Sequence, residues 1–180
     1  MFDFHRKSDL VEIQRSHQAL ADAQAKLAAI SRSMAMIEFA PDGTILDANE
    51  RFCQAMGYSA EELRGQHHRL FCEPGYAQSA EYQQLWHELG QGKAISGTFE
   101  RVDKAGREVW LEASYMPVLD AQRQVSSVIK VASDISQRVA LEHESESLLK
   151  AISRAMAVIE FTPQGRVIKA NQNFLDTMGY

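Results

Sequence analysis

Leu27–Tyr58, LAAISRSMAMIEFAPDGTILDANERFCQAMGY, is followed at an offset of 122 residues by Leu149–Tyr180, LKAISRAMAVIEFTPQGRVIKANQNFLDTMGY, and 18 of the 32 paired positions are identical. One supersecondary unit has been used twice. In the first copy MAMIEF is a short β-type run, Pro41-Asp42-Gly43 a tight turn and Thr44 to Asp47 a second strand, because Asp-Gly between apolar runs signals a hairpin. Asn49 stands where a helix N-cap belongs, its oxygen able to accept from the free amides ahead of Phe52, and Gly57 suits the left-handed residue that ends a helix. Ser59-Ala60-Glu61-Glu62 has capping-box spacing, and Gly65 closes this second short helix. The second copy reaches Tyr180 without the strands that follow the first. Ala151–Tyr180 is therefore expected to be disordered, to pair with another chain or to dock on the first domain, since nothing covers its apolar strand faces.

After a loop, GQHHRLFCEPGYAQ, the stretch Ser79–Leu89 sets Tyr82, Leu85, Trp86 and Leu89 on one helical face and leaves His87 off it, toward solvent. Gly97–Val102 reads as a strand, Asp103–Gly106 as a turn, and Arg107–Val118 as a half-buried strand alternating Val109, Leu111, Ala113 and Tyr115 against Trp110, Glu112, Ser114 and Met116. A turn at Asp120–Arg123 leads into a last strand, Val125–Ala132. The expected fold class is α+β, a five-stranded antiparallel sheet with short helices over one face, flanked by long N- and C-terminal helices. Both flanks lack Pro and Gly. From Lys7 to Ser33, Ile13, Leu20 and Leu27 recur every seven residues in a narrow stripe that includes His17 and Gln24, which suits pairing with another helix in a parallel homodimer. Folding back on its own domain is the alternative. Ser133–Ser136 offers several capping oxygens to a second helix, Gln137–Ser153, with Leu141, Leu148 and Ile152 in its seam. The expected segments are a dimerising helix over 1–30, a domain over 31–138, a linker helix over 139–152 and the start of a second domain over 153–180.

The net charge of −5 comes without a dense Lys/Arg cluster, so no nucleic-acid contact is expected. MFDFHRKSD lacks the pattern of a signal peptide and no run has the length of a membrane span, which points to the cytoplasm and to no membrane contact. Cys53 and Cys72 have no CxxC spacing and read as reduced thiols. HExxH, GxSxG and P-loop patterns do not occur, so no catalysis is expected.

The order of elements, together with IEFAPDGTILDANERFCQAMGYSAEELRGQHHRLF, REVWLEASYMPVLDAQRQVSSVIKVASDIS and the junction Asp134-Ile135-Ser136, resembles a PAS domain over Ser31–Arg138. GQHHRLF, EVWLEASYMPVLD and VIKVASDIS resemble the tandem PAS domains of soluble bacterial methyl-accepting chemotaxis proteins, including the biofilm-dispersal and energy-taxis types. The resemblance implies a sensory module that responds to a small ligand, redox state or gas and signals through its linker helix to a chemoreceptor signalling domain, which these residues do not include. A histidine kinase or diguanylate cyclase as effector, or a PAS module that only holds subunits together, are the alternatives.

The resemblance also raises the question of a cofactor, and leaves its identity unknown. Some PAS domains near this group hold FAD and others b-type haem. In flavin-binding energy-taxis relatives a Trp and an Asn flank the opening glycine of the third strand; here those positions are Ile95 and Arg101. Haem needs an axial ligand, and the adjacent His67 and His68 are the candidates. His67, His68 and Cys72 make a poor metal site, lying in one loop without a fourth partner. Trp86 is a pocket candidate that also reads as core packing, as does Trp110. If Trp86, Met36, Phe52 and Met116 fill the core, little space is left for a ligand. Asp134, Ile135 and Ser136 are the candidate relay.

Overall fold

The computed structural model describes residues 2–180, with side-chain surroundings from Ile13 onwards. Met1, within the expected helical segment 1–30, lies outside the described residues. The Asp-Gly turn closes a hairpin of β1 (Ala35–Phe39) and β2 (Ile45–Ala48). Gly43 N donates to Ala40 O at 2.9 Å, and the Asp42 carboxylate accepts from Thr44 N at 2.9 Å. Gly43 sits at φ +91°, and a Cβ there would lie 2.8 Å from the His67 ring, so both the backbone and the packing call for glycine.

Two short helices follow, α2 (Glu50–Met56) and α3 (Ala60–Leu63), capped as their sequences predict. Asn49 Oδ1 accepts from Phe52 N at 2.9 Å, and both bonds of the Ser59–Glu62 capping box are made. Asn49 also does something a cap alone does not require. Its Oδ1 accepts from Met36 N, and its Nδ2 donates to Ser31 O and Met34 O, so one amide binds the end of α1 (Phe2–Ser33) to β1 and α2.

GQHHRLFCEPGYAQ is not a plain loop. Ile45 N donates to Gln66 O at 2.7 Å and His68 N to Gly43 O at 2.9 Å, so the segment lies along the edge of β2 before a 3-10 turn at His68–Phe71 and a short α4 (Pro74–Ala77). Pro74 at the first turn was the readable signal for that helix. α5 (Ala80–Gly90) buries Tyr82, Leu85 and Leu89 and leaves His87 exposed.

Three strands complete the sheet, β3 (Ile95–Val102), β4 (Glu108–Leu119) and β5 (Val125–Asp134), in the order β2-β1-β5-β4-β3 with every pair antiparallel. The first and last strands of the domain are thus neighbours. Val109, Leu111, Ala113 and Tyr115 are buried as their alternation predicts. Two expected core fillers are corrected. Met116 is 39% exposed and Met36 only half-buried, because the pleat that turns Tyr115 and Ile37 inward turns their neighbours to the other face. Phe52 does fill the core, together with Phe39, Phe71 and Tyr115.

The chain divides into two units, the first ending at Ile135 and the second running from Ser136 to Tyr180. The second contains α6 (Ser136–Ala155), β6 (Ile159–Phe161), β7 (Val167–Ala170) and α7 (Gln172–Met178). Ala151–Tyr180 therefore keeps a hairpin and a capped helix rather than being disordered, although Phe161, Val167 and Met178 are exposed. Its bonds are local ones that need no wider sheet. Leu20 and Leu27 of α1 and Leu141 and Leu148 of α6 are exposed as well.

Candidate functional site

His68 is fully enclosed between the short helices and the sheet, edge-on to Phe39, Trp86 and Tyr115 and stacked on Tyr82. Its Nδ1 is 3.1 Å from Tyr82 Oη and its Nε2 2.9 Å from Tyr115 Oη. Burial, reinforced by the charges of Lys130, Arg101 and His67, holds its pKa well below the ordinary histidine range, so the ring is neutral. A neutral imidazole donates from one nitrogen and accepts at the other. Arg101 Nη2 donates to Tyr115 Oη at 3.3 Å, which leaves that hydroxyl its own hydrogen for His68 Nε2. His68 Nδ1–H then points to Tyr82 Oη, which lies 3.4 Å from His67 Nδ1. His67 Nε2 closes the series on Asp42 O at 2.8 Å. One direction of donation runs from Arg101 Nη2 through Tyr115, His68, Tyr82 and His67 to the hairpin turn.

The structure brings His67, His68 and Trp86 together, with ring centroids 6.2 Å apart for His67–Trp86 and 5.4 Å for His68–Trp86. It does not arrange them as a cofactor site. His67 Nδ1 accepts from Arg69 N at 3.2 Å as the cap of the 3-10 turn, so both of its nitrogens, like both of those on His68, are engaged. An axial haem ligand must present a free lone pair. Neither imidazole does, and this arrangement does not fit haem. FAD fits no better, because Trp86 packs edge-on against Phe39 and both histidines, while Arg101 is inside, bonded to Tyr115.

Two residues to which the sequence assigned no place in the core, Arg101 and Lys130, dominate the electrostatics. Arg101 and Lys130 are 3% and 1% exposed. Lys130 lies on the inner face of β5 between Val128 and Ala132, a charged residue in phase with apolar ones, and that break in the alternation was the signal available. Its ammonium stands 4.9 Å over the Tyr115 ring and 5.9 Å from that of Phe99, while the Arg101 guanidinium lies 5.1 Å from Phe99 and 5.3 Å from Tyr76. Burial first, then the neighbouring Arg101 charge, pushes the Lys130 pKa well below the ordinary lysine range.

At the end of β5, Asp134 is the last strand residue and Ser136 the first of α6. The single residue between them, Ile135, donates its N–H to Trp110 O at 2.8 Å.

A five-stranded antiparallel sheet in the order β2-β1-β5-β4-β3, with short helices over one face, defines a small α+β class of domain. Residues 31–140 match the family described as PAS fold, and the chain belongs to the PAS family. It is 50% identical over 154 residues to the biofilm dispersion protein BdlA of Pseudomonas aeruginosa, covering 86% of this chain and 37% of that protein. It is 32% identical over 75 residues to the aerotaxis receptor of Escherichia coli, covering 42% of this chain and 15% of the receptor. The chain thus spans well under half the length of either relative. A PAS domain structure from Colwellia psychrerythraea superposes with a TM-score of 0.57 at 22% identity, over 64% of this chain and 98% of that one, and shows the common fold. The first unit is a PAS sensory domain related to chemotaxis and aerotaxis proteins. Among the described residues no helix is long and apolar enough to cross a membrane.

Proposed function

We propose that the chain is a non-catalytic, cytoplasmic input module of a chemotaxis-type receptor, organised as a dimerising helix, a PAS domain, a linker helix and the opening of a second PAS domain. A small ligand between the short helices and the sheet shifts β5, the Asp134-Ile135-Ser136 junction follows, and α6 carries the change to a signalling domain. The helices α1 and α6, each with an exposed apolar seam, pair with those of a second subunit in parallel. The observation that carries this reading is continuity. Strand β5 holds the buried Lys130 at the core and passes into α6 through one residue. In the intact receptor, Asp134→Ala is expected to fix the signalling output in one state, read as swimming bias or dispersal with and without stimulus. An output that still follows the stimulus would remove the junction from the pathway.

The rival reading, a PAS module that only joins subunits, draws support from the aromatic filling of the core. The response of the purified dimer separates the two readings. A module that only joins subunits keeps one conformation under every ligand, by hydrogen exchange at β5 and α6.

A further inference from the structure

We propose that the inner face of β3 and β5 is a binding site for a small organic monocarboxylate, held by the guanidinium of Arg101 and the ammonium of Lys130. The inference rests on the sensory reading above and names its ligand class. Two basic side chains lie in the core, and no described carboxylate pairs with either. Neighbouring acids are committed elsewhere. Asp103 holds Arg107 at 2.7 Å and the amides of Ala105 and Arg107, and Glu100 gives Arg101 only its backbone carbonyl, at 2.6 Å from Nη1. Ring faces of Phe99, Tyr76 and Tyr115 lie against the two groups and offer a cation only a weak partner, not a counter-charge.

Arg101 also has a vacancy of the right shape. Its Nε is buried with no hydrogen-bond partner, and the Nη2 on the same edge of the guanidinium makes only the 3.3 Å bond to Tyr115 Oη. That edge is the two-donor fork that grips a carboxylate side-on. A cleft of about 430 Å³ lined by Glu73, Tyr76, Thr98, Phe99, Glu100 and Arg101 lies beside this buried side chain, so a ligand entering from the cleft reaches the guanidinium by a small local opening. The carboxylates of Glu73 and Glu100 are exposed at this cleft and oppose multiply charged anions, which favours one carboxylate over phosphate or a tricarboxylate.

The ligand would change the charge state of its site. The groups that act on the Lys130 ammonium are Arg101 and Cys72, with Tyr115 beneath it and His68 nearby, and none supplies an anion at neutral pH because burial raises both the Cys72 thiol and the Tyr115 phenol. An arriving carboxylate favours the charged form of the lysine, so proton uptake from solvent accompanies binding. Lys130 is four residues before Asp134 on the same strand, so the new ion pair forms on the element that leads into α6.

The test is isothermal titration calorimetry of this chain with acetate and with pyruvate, near pH 7.5 in two buffers of different ionisation enthalpy, with chloride and inorganic phosphate as comparators. Saturable binding of a carboxylate with net proton uptake is expected, weakened about tenfold or more in Lys130→Met and in Arg101→Gln. Lys130→Met keeps the volume of the side chain and removes only its charge, so it remains folded if Arg101→Gln does not. No saturable heat from either carboxylate up to about 10 mM would overturn the site, since a millimolar Kd would already be visible there. Equal affinity for chloride or phosphate would overturn the ligand class, and unweakened binding by Lys130→Met would overturn the residues. The sensory reading fails separately. Carboxylate binding that leaves hydrogen exchange at β5 and α6 unchanged would sink that reading and keep the site. A Lys130→Met receptor that has lost carboxylate binding but still answers its stimulus would do the reverse.

Discussion

The two copies of the repeat form the same local structure and differ in what surrounds it. In the first hairpin Ile37 faces Ala48, Glu38 faces Asp47 and Phe39 faces Ile45; in the second, Ile159 faces Ala170, Glu160 faces Lys169 and Phe161 faces Val167, with the register shift at the same place. Asn171 repeats the bonds of Asn49, accepting from Val158 N and Phe174 N and donating to Ser153 O and Met156 O. Yet Phe39 is 0% exposed and Phe161 is 52% exposed. Turn residues and side-chain caps set the hairpin in both copies, while burial of Phe39 comes from His68, Trp86 and the pairing of β1 with β5. The same sequence signals thus specify geometry twice and stability once.

Paired substitutions put that difference to the test. Phe39→Ala is expected to destabilise the first unit by about 3–5 kcal/mol, as an enclosed phenylalanine does, and Phe161→Ala to change stability by no more than about 0.5 kcal/mol. Comparable losses in chemical denaturation would mean that the second hairpin is covered in solution. Asn49→Ala removes a cap and leaves half-buried amides and carbonyls without partners, for about 2–3 kcal/mol. Asn171→Ala should fray β6, β7 and α7 in hydrogen exchange without moving the main unfolding transition.

Acid separates the copies by a group only the first can use. The folded core holds the His68 pKa below the ordinary value of about 6.5, so the unfolded chain takes a proton that the folded one refuses. Stability is intact above that value and falls below it by up to about 1.4 kcal/mol per pH unit, a slope that His68→Gln should flatten by about one proton. Urea midpoints between pH 7 and pH 5 measure it, and an unchanged slope in the variant would place the uptake elsewhere. Lys130 acts in the same direction over a higher range. Its depressed pKa costs stability as pH falls below the ordinary lysine value of about 10.4, so Lys130→Met without ligand should raise stability at pH 7 by about 1 kcal/mol or more. A destabilised variant would show that the lysine already has a partner.

What the sequence revealed follows the range of the interactions. Asn49, Gly57 and the Ser59–Glu62 box were legible because each cap joins residues three or four apart, and Val109 to Tyr115 because alternation is a property of one strand. The alternation had already set Met116 opposite Tyr115, and the supposition that Met36 and Met116 fill the core fails for that same phase of the pleat. His67 and His68 were singled out for the right reason, two imidazoles in a loop beside the core, but their tasks depend on where that loop lies. Its pairing along β2 turns one ring onto the hairpin turn and the other onto Tyr82 and Tyr115. Arg101 and Lys130 sit on different strands, and nothing local announces that both meet the Phe99 ring.

Asn171 takes hold of α6 at its last turn through two backbone carbonyls while accepting from the amide of Val158, which leads into β6, and from Phe174 in α7. The helix therefore ends in a clasp, not in a swivel. Torsion applied about its axis finds no slack at that end, and strand and helix must turn with it as one piece. Asn49 holds the last turn of α1 to β1 and α2 in the same way, so each long helix of the chain is fastened to the hairpin that follows it by one side-chain amide.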